Sequence, residues 1–314
     1  MIIGHQTQWQ YLKKLADSGK VPHAFLFSGE EKIGKKKVAV EFAKEVCCLE
    51  EDAAKKPCGK CVNCLQIEKG IFPDFQMVRP DNLDPLKANL QKGRKIQIYQ
   101  VRQIKASFNL GSYDSPFKIA VIDEAHTMNS HAQNSLLKLL EEPKGNALFI
   151  LVTPFPKMLL PTIVSRVQIL KFAKPETQET EKFLTGFCNI KEAAAREIVE
   201  LSDGKPGLAI DLAQNPKKLE DQRNKLQDTR KIIDGSLARR FSYAKFLSED
   251  PLKTSEMLDF WTVYFRKILL SKLEKGNPVS KTEKILDTLR KISFAVSNTN
   301  ANPRLALEIL MLEI

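Results

Sequence analysis

No apolar run approaches the roughly 18 residues that a membrane-spanning helix needs, which excludes a helical membrane protein. The start, Met1-Ile2-Ile3-Gly4-His5, has no basic segment leading into an apolar one, so no secretory leader is expected and the cytoplasm is the expected location. Cysteine is sparse, six in 314 residues, yet three of the six crowd into positions 58, 61 and 64. In a chain expected in a reducing compartment, such crowding points to metal rather than disulfide. Acid is short relative to base, 38 Asp and Glu against 49 Lys and Arg, a formal charge of +11. That excess suits phosphate backbones or acidic partners, and equally a solvated lysine-rich surface. The hydrophobic share of 43% is ordinary for a chain with real cores and about two to three domains.

The chain is organised around Lys118 to Arg166. Ile119-Ala120-Val121-Ile122 is a continuous apolar run, mostly β-branched, which predicts a buried parallel strand ending on Asp123-Glu124. A second buried strand, Leu148 to Val152, ends at Thr153. Between them Leu136, Leu137, Leu139 and Leu140 form a helical stripe before a Glu141-Glu142-Pro143 stop. Ligands of open α/β sheets bind at the carboxyl ends of strands, so Asp123, Glu124 and Thr153 are candidate site residues.

Upstream, Phe25-Leu26-Phe27-Ser28 predicts a short strand running into Gly29, with the loop closing at Gly34-Lys35 and an amphipathic helix carrying Val38, Phe42, Ala43 and Val46. Strand, G-x₄-G-K and helix is the context of a phosphate-binding loop. Backbone N–H groups and the helix N-terminus cradle phosphate, and Lys35 supplies charge. The residue after the lysine lacks the expected hydroxyl. Lys36 offers no oxygen to Mg²⁺, and its charge repels the metal. The loop is therefore expected to keep its shape without magnesium-dependent hydrolysis; weak nucleotide binding stays open.

Cys58, Cys61 and Cys64 make C-x₂-C-x₂-C, one ligand short of tetrahedral zinc; Cys48 or its neighbour Cys47 is the candidate fourth. Four protein ligands leave no open position, so the role is structural. Residues 79–118 are polar and basic (Lys87, Lys92, Arg94, Lys95, Arg102, Lys105), a solvated face or a DNA-facing patch, without the aromatic interleaving that single strands favour. Val101, Ile104 and Phe108 place a helix there. Residues 176–213 and 216–314 carry only helical patterns; in the latter Leu258, Trp261 and Phe265 form one stripe, Ile285, Leu289 and Ile292 another.

This order of motifs, closing with Ile163-Val164-Ser165-Arg166 and worded LLKLLEEP then LLPTIVSR, resembles the AAA+ superfamily and, within it, the bacterial DNA polymerase III clamp-loader family, most of all its δ′-type members. The resemblance covers the first 213 or so residues well and the last hundred loosely. It implies an α/β fold: an AAA+ P-loop parallel-sheet domain with a zinc module over 1–173, a small helical lid over 174–213, and an all-α collar for oligomerisation over 214–314. It makes Gly29, Gly34 and Lys35 a degenerate P-loop, Asp123 and Glu124 Walker B-like, and Thr153 sensor 1-like. It favours Cys48 as first ligand of a Zn²⁺ site with Cys58, Cys61 and Cys64. Gly207 falls where active members carry the sensor 2 arginine, a second loss of an ATP-reading residue. Arg166 becomes an arginine finger acting in trans, although Val167 stands where the family's Ser-Arg-Cys motif has cysteine.

The implied function is that of a non-hydrolysing component of the polymerase (nucleotidyltransferase) holoenzyme. It would act in a hetero-pentamer with γ/τ ATPase subunits and a δ subunit, loading the sliding clamp on primed DNA in replication. Alternatives are an ATP-hydrolysing γ/τ-type subunit, opposed by Lys36, Gly207 and the lack of a long C-terminal extension, and a zinc-bearing DNA-binding scaffold.

Overall fold

The computed structural model describes residues 2–80, 94–299 and 301–314; Lys87 and Lys92 lie outside them. Contacts divide the chain into two compact units, Met1–Ala213 and Gln214–Ile314.

In the first unit, α1 (Gln6–Asp17) precedes β1 (Ala24–Ser28) and α2 (Lys35–Cys47), followed by α3 (Val62–Lys69), β2 (Phe75–Val78) and α4 (Ile98–Asn109). Then come β3 (Lys118–Ile122), α5 (Ser130–Glu141), β4 (Ala147–Thr153), the single turn α6 (Pro161–Val164) and β5 (Gln168–Lys171). Three helices close the unit: α7 (Thr177–Gly186), α8 (Glu192–Leu201) and α9 (Pro206–Gln214). The strands form one parallel sheet in the order β2-β3-β4-β1-β5.

Both faces of this sheet are covered, which explains the unbroken apolar runs. Successive strand residues point to opposite faces. Ala24, Leu26, Ala120, Ile122, Phe149 and Leu151 pack with Val101, Ile104 and Phe108 of α4 and Leu136, Leu139 and Leu140 of α5. Phe25, Phe27, Ile119, Val121, Leu148, Ile150 and Val152 pack on the other side with Leu12 of α1, Val38 and Phe42 of α2 and Ile67 of α3. Each such fully buried large side chain contributes about 1.5–3 kcal/mol. The parallel register brings Ser28 opposite Thr153 and Ile122 opposite Leu151, so the carboxyl ends of β1, β4 and β3 lie side by side.

The basic stretch is only partly as expected. Ile96 pairs with Met128 in an isolated bridge, and Val101, Ile104 and Phe108 are the buried face of α4, as their spacing predicts. Tyr99, however, is 46% exposed between exposed Lys95 and Arg102, so an aromatic does interleave with these charges.

The second unit is all helix: α10 (Pro216–Ile233), α11 (Leu237–Ser248), α12 (Pro251–Glu274), α13 (Ser280–Asn298) and α14 (Pro303–Glu313). Its core gathers Leu258, Trp261, Phe265, Leu289, Leu307 and Leu310, and the indole N–H of Trp261 donates to Thr229 Oγ1 at 2.9 Å. Asn302 caps α14, its Oδ1 accepting from the N–H groups of Arg304 and Leu305. Leu305, Ile309 and Leu312, one turn apart on α14, are 58%, 56% and 61% exposed. Among the described residues no helix is long and apolar enough to cross a membrane.

Candidate nucleotide-site remnant and cysteine cluster

At the carboxyl edge, β1 delivers Gly29, whose N–H donates to Thr153 O at 3.4 Å. There is no room for a side chain at Gly29: a Cβ would stand 2.3 Å from Phe172 O. Gly34 caps α2 with φ 106°, a conformation that favours glycine. Lys35 is buried, and its Nζ turns back to donate to Gly29 O at 2.7 Å and to Glu30 O. Burial lowers the Lys35 pKa to about 8 against the pull of Glu31, Asp123 and Glu30. The ammonium thus satisfies itself on the loop's own carbonyls.

Lys36 lies on the first turn of α2, and its Nζ sits 3.0 Å from Asp123 Oδ2. Asp123 follows β3 and also accepts the N–H of Glu124 on Oδ1 at 3.1 Å. Glu124 is in the left-handed region, φ 52°, and burial, then Asp123, raises its pKa. Thr153 is fully buried, its Oγ1 accepting from Phe155 N–H at 3.0 Å. The edge therefore brings Gly29, Gly34, Lys35, Asp123, Glu124 and Thr153 together, with a lysine on the aspartate. His126 stands in a single 3₁₀ turn, edge-on to Phe155 at 5.1 Å.

A third set of contacts comes from α9. Gly207 N–H donates to Lys32 O at 2.7 Å, and a Cβ on Gly207 would stand 2.7 Å from that oxygen. Lys32 Nζ meets Asp211 at 3.0 Å, and Lys205 Nζ meets Glu30 at 3.0 Å. The position read as a lost arginine is thus one where the backbones of loop and helix touch and no side chain fits.

Away from this edge, Cys48 at the end of α2 and Cys58, Cys61 and Cys64 around the start of α3 have their Sγ atoms all within 4.8 Å of one another. Backbone N–H groups of Lys60 and Cys61 point at Cys58 Sγ at 3.4 and 3.3 Å, and they lower its pKa to about 6. Cys58 N–H and Cys64 N–H point at Cys48 and Cys61 sulfurs at 3.4 Å. Burial instead raises the Cys48 and Cys64 pKa values against their N–H contacts. The four converging thiols suit a tetrahedral soft-metal site with about 2.3 Å metal–sulfur bonds, the metal supplying the charge that holds them as thiolates. Cys47 is not among them. It is buried with its Sγ 2.9 Å from Ser115 Oγ, and burial pushes its pKa up to about 12.

A family model described as "DNA polymerase III, delta subunit" matches residues 4–176, more than half of the chain. The chain belongs to this family. Among relatives of the DNA polymerase III delta-subunit family, subunit delta' of Bacillus subtilis (strain 168) is 38% identical over 171 residues, 54% of this chain and 48% of that protein. The match therefore spans about half the length of that relative. DNA polymerase III subunit gamma of Buchnera aphidicola subsp. Schizaphis graminum is 30% identical over 258 residues, 80% of this chain and 68% of that one. Among solved structures, a DNA polymerase III gamma subunit-related protein of Thermotoga maritima superposes over 97% of both chains with a TM-score of 0.54 at 16% identity, a likeness of fold.

Set against this family, the sequence allowed an own-chain acidic partner for Arg166 without naming it, and the tie made by His5 went unread. Arg166 is not free at the rim. Its Nη2 lies 2.8 Å from Glu141 Oε1 and its Nη1 donates to Thr162 O at 2.9 Å. The buried His5, whose pKa burial lowers, meets Ile33 O through Nε2 at 2.8 Å and so ties the segment before α1 to the P-loop. Only the Glu141-Glu142 doublet hinted at the first; nothing in the sequence signalled the second.

Proposed function

We propose that this chain is a non-hydrolysing, δ′-type subunit of the DNA polymerase III clamp loader. The Lys36–Asp123 ion pair carries this reading. Mg²⁺-dependent hydrolysis needs a hydroxyl after the P-loop lysine and a free Walker B carboxylate; here one is replaced and the other is neutralised by its replacement. The closed contact at Gly207 N–H supports the same conclusion, since no sensor 2 arginine fits there. Residues 1–173 serve as the AAA+ domain, 174–213 as the lid and 214–314 as the collar. The exposed Leu305, Ile309 and Leu312 stripe suits packing against other subunits. Cys48, Cys58, Cys61 and Cys64 hold Zn²⁺, which cross-links the end of α2 to the start of α3. In the cytoplasm the chain joins γ/τ-type ATPase subunits and a δ subunit in a hetero-pentamer that places the sliding clamp on primed DNA.

Arg166 would serve the adjacent ATPase site as a finger, a planar guanidinium set against the charge of the transferring phosphoryl group. A finger given in trans is worth roughly 10³–10⁵ in rate in well-studied GTPases. The test is steady-state ATP hydrolysis by the reconstituted loader with clamp and primed DNA. Arg166→Ala should leave assembly and metal content intact and slow hydrolysis, with Arg166→Lys rescuing poorly for lack of the planar fork. An Arg166→Ala complex that assembles and hydrolyses at the wild-type rate would remove the finger. A γ/τ-type hydrolysing reading is favoured by the long match to the Buchnera gamma subunit; it requires ATPase activity in the isolated chain.

A further inference from the structure

We propose that Glu141 is a positioning residue for Arg166: its carboxylate holds the guanidinium on its own chain, and release of that ion pair is what lets Arg166 reach a neighbour's phosphate. This rests on the finger reading of Arg166.

Glu141 is the last residue of α5, and Arg166 follows α6 by two positions. The two helices are fixed to each other. Gln133 of α5 is buried; its Oε1 accepts from Leu160 N–H at 2.8 Å and its Nε2 donates to Met158 O at 3.4 Å, while Leu136 and Ile163 share one core. The backbone that carries the pair is therefore preset, and only side-chain torsions stand between a held and a released arginine. In the held state Nη2 is on Glu141 at 2.8 Å, and Nη1 is on Thr162 O at 2.9 Å and Ser165 Oγ at 3.4 Å. Carboxylate and phosphate compete for the same N–H fork of a guanidinium. With Nη2 on Glu141 and Nη1 on Thr162 O, a phosphate can claim the fork of these two nitrogens only when the carboxylate lets go.

Exposure sets the strength of the hold. The two side chains are 37% and 47% exposed, so water screens the pair and it exchanges readily. A pair of this kind biases the held state by up to about five-fold, a brake rather than a lock. A dianionic phosphate presented by an assembled neighbour outcompetes a single exposed carboxylate, so the brake acts mainly while no such phosphate is held against Arg166.

The experiment measures ATP hydrolysis by the loader reconstituted with this chain, with and without clamp and primed DNA, for Glu141→Gln, Glu141→Asp, Arg166→Ala and the double variant Glu141→Gln/Arg166→Ala. Glu141→Gln should raise the clamp- and DNA-independent kcat by about two- to five-fold at unchanged KM for ATP, while Glu141→Asp, which keeps the charge, stays near wild type. The double variant should match Arg166→Ala. If Arg166→Ala slows hydrolysis but Glu141→Gln leaves the unstimulated rate unchanged or lowers it, the role of Glu141 is overturned and the finger stands. A double variant that differs from Arg166→Ala shows Glu141 acting elsewhere and overturns it too. Arg166→Ala at the wild-type rate overturns the finger reading and this one together.

Discussion

Lys36 Nζ lies 3.0 Å from Asp123 Oδ2. Lys36, standing where a P-loop carries a hydroxyl, thus pairs with the carboxylate that follows β3, and on the proposed reading this one side chain accounts for the absence of magnesium-dependent hydrolysis. The isolated chain should show no ATPase above background in Mg²⁺. Lys36→Thr should leave it at background, because Gly207 still supplies no arginine, and should change stability by no more than about 1 kcal/mol, the worth of a part-exposed pair. A colorimetric phosphate assay checks the hydrolysis and urea unfolding the stability. Robust wild-type hydrolysis that Lys35→Ala abolishes would put the chain among the hydrolysing subunits.

Gly207 tests the closed contact between α9 and the P-loop. A Cβ at this position meets Lys32 O at 2.7 Å, and the oxygen belongs to backbone that cannot swing away. Gly207→Ala should cost about 1–3 kcal/mol, the usual penalty of overpacking, even though alanine is the better helix former. Thermal unfolding measures it; an unchanged or raised Tm would show that the loop and α9 part easily.

The metal prediction separates two adjacent cysteines. Purified protein should carry about one zinc per chain. Cys61→Ser should release it, while Cys47→Ser, whose Sγ faces Ser115, should keep it. Metal analysis of the wild type and of the Cys61→Ser, Cys47→Ser and Cys48→Ser variants decides; zinc lost from Cys47→Ser and kept in Cys48→Ser would reverse the ligand assignment.

Glu45 makes stability depend on pH. It is 2% exposed on α2, neither carboxylate oxygen has a hydrogen-bond partner among the described residues, and Lys13 Nζ is 3.8 Å away. Burial raises its pKa to about 7 from 4.5, with Lys13 pulling the other way. Between these values the folded chain keeps a proton that the unfolded chain has lost, so stability falls as pH rises through this window and stays lower above it. Glu45→Gln should stabilise the protein by roughly 1–3 kcal/mol at about pH 8 and by little at about pH 4.5. Urea unfolding at the two pH values gives the difference; equal effects at both would show that folding does not shift the Glu45 pKa.

Much of the fold could be read from local pattern. Ile119–Ile122 and Leu148–Val152 are apolar on every residue because their sheet is covered on both faces, and that signature is written in consecutive letters. Gly29, Gly34 and Lys35 sit within seven residues, so their loop is legible, and the hydroxyl missing at Lys36 can be seen without coordinates. Three of the four clustered thiols share a short repeat for the same reason. The tertiary structure decided what depends on residues distant in sequence. Cys48 rather than Cys47 joins the cluster because the end of α2 turns one thiol toward α3 and the other toward Ser115. The glycine at 207 became intelligible only when the carbonyl of Lys32, far away in the chain, was found against it. Arg166 likewise gained its partner Glu141 because α5 and α6 are packed together in one core. Periodicity and spacing record which face of an element is buried; which side chains from separate elements meet depends on packing, and no local pattern encodes it.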